Sequence, residues 1–108
     1  MSLGGTLPDG GLLDAADPVL EHRVRLAVCV LLSGADEISF SRFKDLLQQT
    51  DGNLGSQLRK LEDEGYITPR KVFQERKPVT WYRLTTQGRQ ALGRHLQHLQ
   101  RLVAQAVI

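Results

Sequence analysis

The stretch from Phe40 to Gly65 leaves the backbone few choices. Phe40, Phe43, Leu46 and Leu47 fall on one face at helical spacing, and Leu54, Leu58 and Leu61 then recur four and three residues apart. Ser39 stands where the first of these helices needs an N-cap, Thr50 or Asp51 where the second does, and Gly65 where a left-handed C-terminal residue belongs. The first helix is predicted to end near Gln49, so only a short turn separates the two. Two short helices joined this tightly form a helix-turn-helix arrangement.

A longer apolar helix precedes them. Asp17-Pro18 supplies an N-cap and a proline at the first helical position, where its missing N–H removes no bond. From there the pattern runs through Val19, Leu20, Val24 and the unbroken apolar run Leu26 to Leu32, ending at Ser33-Gly34, as expected of a helix packed on several sides. Residues 1–16 carry four Gly and no Lys or Arg and read as a flexible N-terminal tail, with Met-Ser-Leu set aside from fold reasoning. Residues 17–108 are expected to form one domain.

A β-rich segment follows the helix pair. Tyr66-Ile67-Thr68 and Arg70 to Phe73 lead into a polar turn over residues 74–78, and Val79 to Leu84 returns, with Pro78 suited to an edge or loop position. Trp81 is expected to pack at the hairpin base or under a subunit contact. Thr85 caps a last helix, about residues 85–106, whose Leu92, Leu96, Leu99, Val103 and Ala106 are spaced 4, 3, 4, 3. Such an a/d seam buries little in a monomer and is predicted to be a dimer interface; folding back on the first helix is the alternative. The fold class is therefore mainly α with a small β-hairpin.

Charge is unevenly spread. The formal net charge is +2, yet from Tyr66 to Arg101 eight basic residues face one acid, Glu75, a local balance of +7 that points to a polyanionic partner. The seven-residue run Leu26 to Leu32 is far short of the roughly 20 needed to cross a bilayer, and no N-terminal signal pattern is present, so a cytoplasmic protein is expected. The single cysteine, Cys29, lies within that run and reads as a small buried hydrophobe. No nucleophile–base pair, phosphate loop or zinc spacing is present, so neither an enzyme nor a cofactor is expected. His95 and His98, three apart on the last helix, are too few for a metal site and are expected to be solvated or interfacial.

Three stretches carry a resemblance: Ile38-Ser39-Phe40; Thr50-Asp51-Gly52-Asn53-Leu54 with Leu58-Arg59-Lys60-Leu61-Glu62 and Gly65-Tyr66-Ile67; and Tyr82-Arg83-Leu84-Thr85 with Gly88-Arg89. Over roughly Pro18 to Arg101 the chain resembles the MarR/ArsR-like winged helix-turn-helix transcriptional regulators, in particular short members with little beyond the DNA-binding domain. That resemblance implies a three-helix core, a β-hairpin wing, a long C-terminal helix and a homodimer bound to double-stranded DNA. Longer members build a ligand pocket from additional helices; with little sequence to supply them, a small-molecule or metal effector is not expected.

A recognition helix over about residues 51–64 places Gly52, Asn53, Ser56, Arg59 and Lys60 broadly outward, with Gln57 on the flank. Asn53, Ser56 and Gln57 are candidates for base edges, Gly52 for close backbone approach, and Arg59 and Lys60 for phosphates. Arg76 and Lys77, in a wing over residues 74–79, suit the backbone or minor groove, and Arg42 and Lys44 on the preceding helix, with Arg70, Lys71 and Arg83, suit further phosphate contacts. The competing reading is a winged-helix protein-interaction module without DNA binding.

Overall fold

A computed structural model describes residues 10–108, in the order α1 (Arg23–Ser33), β1 (Ile38–Ser39), α2 (Phe40–Leu47), α3 (Asp51–Asp63), β2 (Ile67–Gln74), β3 (Lys77–Leu84) and α4 (Thr86–Val103). The strands form one antiparallel sheet in the order β1-β3-β2. Of the expected tail, residues 1–9 lie outside the described residues, and 10–16 make turns closed by Asp14 N–H to Gly11 O and Ala16 N–H to Leu13 O.

Helix α1 starts later than the Asp17-Pro18 signal predicts, with His22 as its N-cap. Asp17 does cap a turn, accepting from Val19 N–H at 2.9 Å, but that turn does not continue into the helix. Its other groups are taken elsewhere: Asp17 N–H donates to His95 Nδ1 at 3.0 Å and its carboxylate accepts from Tyr66 Oη at 2.6 Å. These long-range bonds hold residues 17–22 against α4 and outweigh the local helix signal.

The remaining caps follow the sequence. Ser39 accepts from Arg42 N–H, Thr50 from Asn53 N–H and Thr85 from Gly88 N–H. Helix α2 stops at Leu47 because Gln48 turns left-handed, with φ 52°. The core gathers Leu20, Val28, Leu32, Phe43, Leu54, Leu58, Leu61 and Ile67, all buried. Leu46 departs from its expected inward face and is 44% exposed. Cys29 is buried, and desolvation, with Asp17 nearby, pushes its thiol up to about 12, a protonated and unreactive state.

The hairpin turn is tighter than predicted. Lys77 pairs directly with Gln74, leaving only Glu75 and Arg76 in the loop, both with positive φ (51° and 65°). This is the primed geometry that matches strand twist, adopted without the glycine that usually supplies it, at a cost of roughly 1 kcal/mol or more per residue. From the closing pair, bonded and non-bonded pairs alternate, so Pro78 opposite Phe73 and Pro69 opposite Tyr82 both fall where no β2–β3 ladder bond is lost. Although β3 is the middle strand, β1 pairs only with Trp81 and Tyr82, leaving Pro78 beyond its reach.

One close approach locks these parts together. Gly65 ends α3 with φ +78°, Thr85 Oγ1 donates to Gly65 O at 2.7 Å, and a Cβ on Gly88 would sit 2.2 Å from Tyr66 O. That site tolerates no side chain. Gly88→Ala is expected to lower unfolding free energy by about 2–3 kcal/mol in urea melts, whereas Gly93→Ala, whose Cβ meets nothing within 4 Å, should raise it by about 0.5–1 kcal/mol. Equal effects of the two would show that the junction is soft.

Candidate nucleic-acid interface

Helix α3 turns its leucines inward and leaves an outward ridge. Leu54 and Leu61 are fully buried and Leu58 nearly so, while Gly52, Ser56, Arg59 and Asp63 are exposed. A Cβ at Gly52 or Gly55 would meet nothing within 4 Å, so the backbone here is open to close approach. Asp51 sits in the first turn and Lys60 in the last, each suited to the helix dipole.

The two edges of α3 differ. Arg59 lies on the sheet side, near enough to lower the pKa of Tyr82, whose hydroxyl burial nonetheless pushes up. Lys60, one residue and about 100° further round, lies on the other edge of the ridge. It pairs with Glu64 at 3.5 Å and lines a cavity of about 710 Å³ with Asp17, Tyr66, Ala91 and Arg94.

Along that second edge runs a series of amides. Arg25 of α1 donates from Nη1 to Gln57 Oε1 at 2.7 Å and from Nε to Val19 O at 2.6 Å. Gln57 Nε2 donates to Asn53 Oδ1 at 3.4 Å, Asn53 Nδ2 to Gln49 Oε1, and Gln49 Nε2 to Leu47 O at 2.9 Å. The sequence reading includes Asn53 and Gln57 but misses Gln49 and Arg25. The four-residue spacing from Gln49 to Asn53 to Gln57 was a visible signal; nothing local announces Arg25, 32 positions before Gln57.

The cations divide into paired and unpaired groups. Lys44 binds Asp51 at 2.7 Å, tying α2 to α3 and raising its own pKa. Arg70 forms a two-pronged contact with Glu37 at 2.8 and 2.9 Å, which holds the Glu37 carboxyl below its usual range. Arg42, Arg59, Arg76 and Lys77 are exposed and make no ion pair among the described residues. Arg76 and Lys77 stand at the hairpin tip, where Phe73 is 79% exposed.

Helix α4 departs from the expected seam in three respects. It ends at Val103, short of Ala106; Leu92 is buried against the chain's own core; and His95 and His98, expected to be solvated or interfacial, are 2% and 3% exposed with ring centroids 5.4 Å apart. Leu96 and Val103 are exposed and Leu99 half-buried. Trp81 is half-buried at the hairpin base, its Nε1 without a hydrogen-bond partner. Among the described residues no three His, Cys, Asp or Glu are grouped to hold a metal, and no helix is long and apolar enough to cross a membrane.

Three helices around one core, with a tightly joined α2–α3 pair and a hairpin projecting beside them, define a winged helix-turn-helix domain. The chain belongs to the winged helix DNA-binding domain family, which it matches over residues 24–103. It is 32% identical over 79 residues to an uncharacterized protein of Methanocaldococcus jannaschii, covering 73% of this chain and 86% of that one. Among solved structures it is similar to a transcriptional regulator homologue from Pyrococcus horikoshii OT3, with a TM-score of 0.76 and 29% identity over 85% of this chain and 89% of that one. It is also similar to PadR of Bacillus subtilis, solved in complex with operator DNA, with a TM-score of 0.62 and 25% identity over 81% of this chain and 50% of that one. MarR and ArsR family regulators share the fold. The solved neighbours from Pyrococcus horikoshii and the ArsR family are a transcriptional regulator homologue and a transcriptional regulator.

Burial and the adjacent His98 hold His95 below its ordinary pKa of 6.5, against weaker opposing pulls from Asp17 and Glu21. The unfolded chain therefore takes up this proton first, so stability is complete above about pH 6.5 and falls as pH drops below it. Protonation also removes the Nδ1 acceptor that holds Asp17 N–H. The melting temperature is expected to fall between about pH 7 and pH 5.5, and His95→Gln to flatten that slope; an unchanged slope in the variant would place the titrating group elsewhere.

Proposed function

We propose that this protein is a sequence-specific transcriptional regulator that binds double-stranded DNA as a homodimer, with α3 in the major groove and the β2–β3 hairpin on the adjacent backbone or minor groove. The observation that carries this reading is the bare outward ridge of α3. Gly52 leaves backbone exposed, Ser56 offers a hydroxyl, and Arg59 brings an unpaired cation near the sheet. A ridge of this kind admits a groove floor and gives an apolar protein partner little to bury.

Roles follow from position. Asn53, Ser56 and Gln57 read base edges; Arg59, Arg42, Arg76 and Lys77 neutralise phosphates or enter the minor groove. Lys44 and Lys60 contribute less, because Asp51 and Glu64 already hold them. Leu96, Leu99 and Val103 of α4 supply the apolar stripe of a two-fold contact, and such a dimer sets two recognition helices about 34 Å apart on one duplex face. The protein works in the cytoplasm, without a cofactor.

Fluorescence-anisotropy titration on duplexes enriched from a random library, with sedimentation to count bound protomers, tests this reading. Two protomers per near-palindromic site and an affinity that falls steeply with salt are expected. Gly52→Ala should leave the fold as stable or slightly more so, yet weaken selected DNA at least about fivefold, or about 1 kcal/mol. Salt-independent binding, or no enrichment at all, would transfer the ridge to a protein partner.

A further inference from the structure

The amide series on α3 has a direction, and one residue outside the helix sets it. A guanidinium can only donate, so Arg25 fixes Gln57 with its oxygen inward to Nη1. That choice puts Gln57 Nε2 toward Asn53, which must answer with Oδ1, so Asn53 Nδ2 points to Gln49 Oε1. The far end is equally determined, because Gln49 Nε2 meets the carbonyl of Leu47, which can only accept. Turning any one amide over would set nitrogen against nitrogen or oxygen against oxygen at two places. Hydrogen bonds linked head to tail also strengthen one another.

An isolated surface amide presents donor and acceptor in either order by a rotation about its last torsion. Held as here, Asn53 presents oxygen toward Gln57 and nitrogen toward Gln49, and Gln57 presents nitrogen toward Asn53 and oxygen toward Arg25. Adenine offers an N6–H donor beside an N7 acceptor, in an order that reverses when the base pair is inverted. An amide of fixed order accepts only one of these orders, whereas one free to turn can follow either and discriminates less.

We propose that Arg25, on α1, is the positioning residue that sets the hydrogen-bond order of the reading edge of α3 and so determines base preference. The proposal deepens the DNA-binding reading and rests on it. The geometry gives Arg25 no direct part in the contact: it is half-buried, and its Nε and Nη1 are both committed within the chain.

The test compares the wild type with Arg25→Met, Arg25→Lys and Gln57→Met on three sets of DNA: the duplex the wild type selects, the same duplex with each base pair inverted in turn, and unselected duplex. The wild type should lose about fivefold or more on inversion of one or two A·T pairs per half-site. In Arg25→Met that penalty should shrink to about twofold or less, with affinity for unselected duplex kept within about threefold, as one lost cation allows. Arg25→Lys, which keeps the charge but not the planar fork, should also lose discrimination, and Gln57→Met should reproduce the loss with Arg25 in place. Side-chain amide NMR signals of Asn53 and Gln57 in the free protein should move in Arg25→Met, whatever the DNA result.

A folded Arg25→Met that keeps every inversion penalty would overturn the positioning role while leaving DNA reading intact. Equal losses on selected and unselected duplex would make Arg25 a phosphate contact instead, and also overturn it. A wild type that selects no sequence would remove the reading beneath the proposal. Should Arg25→Met fail to fold, Gln57→Met with unchanged inversion penalties would still refute the ordered edge.

Discussion

The approach of Gly88 to the carbonyl of Tyr66 is the constraint on which the rest of the molecule depends. At that point the end of α3, the start of β2, the end of β3 and the start of α4 meet, and Thr85 stitches them by donating to Gly65 O and accepting from Gly88 N–H. Tyr66 extends the junction outward, its hydroxyl held by Asp17, whose own N–H is held by His95. Burial and that carboxylate push the Tyr66 hydroxyl up to about 12, so the donor is never lost near neutrality. These contacts join the base of the hairpin directly to the end of α3. On the proposed reading, two surfaces that meet one duplex need such a hinge to be stiff.

Charge is distributed by the same logic. Glu37, Asp51 and Glu64 each engage a cation that serves the fold: Arg70 braces the sheet against the approach to β1, Lys44 joins α2 to α3, and Lys60 closes the last turn of α3. Such exposed pairs contribute little stability individually, but they remove charge from where it would compete. Among the described residues the exposed cations outside any ion pair are spread wider, over Arg42 on α2, Arg59 on α3, Lys71, Arg76, Lys77 and Arg83 on the hairpin, Arg89, Arg94 and Arg101 on α4, and Arg23 on α1. Of the eight basic residues from Tyr66 to Arg101 only Arg70 is in an ion pair among the described residues, so the local excess stands almost whole.

Local chemistry made most of the fold legible. Ser39, Thr50 and Thr85 cap the helices they were expected to cap, and Gly65 takes the left-handed conformation assigned to it, because each signal acts within four residues. The misreadings arise where distant groups intervene. Asp17-Pro18 is a sound helix start that Tyr66 and His95 divert to another task, and Leu92 completes the chain's own core where an a/d count assigns it to a partner. Glu75-Arg76 gives no glycine to mark so tight a turn. Within the candidate interface, periodicity separated inward from outward on α3. It could not tell that Lys60 faces α4 while Arg59 faces the sheet, since that depends on what packs at each edge.

On the proposed function, the outward ridge of α3 and the hairpin tip act as one DNA-binding surface held by the Gly88–Tyr66 junction. Backbone amide chemical-shift mapping of the labelled protein, titrated with a selected duplex, addresses it most directly. Gly52, Asn53, Ser56 and Arg59 are expected to shift together with Glu75, Arg76 and Lys77, at one common midpoint. Shifts confined to α4, or a hairpin tip that stays unperturbed while α3 saturates, would contradict it.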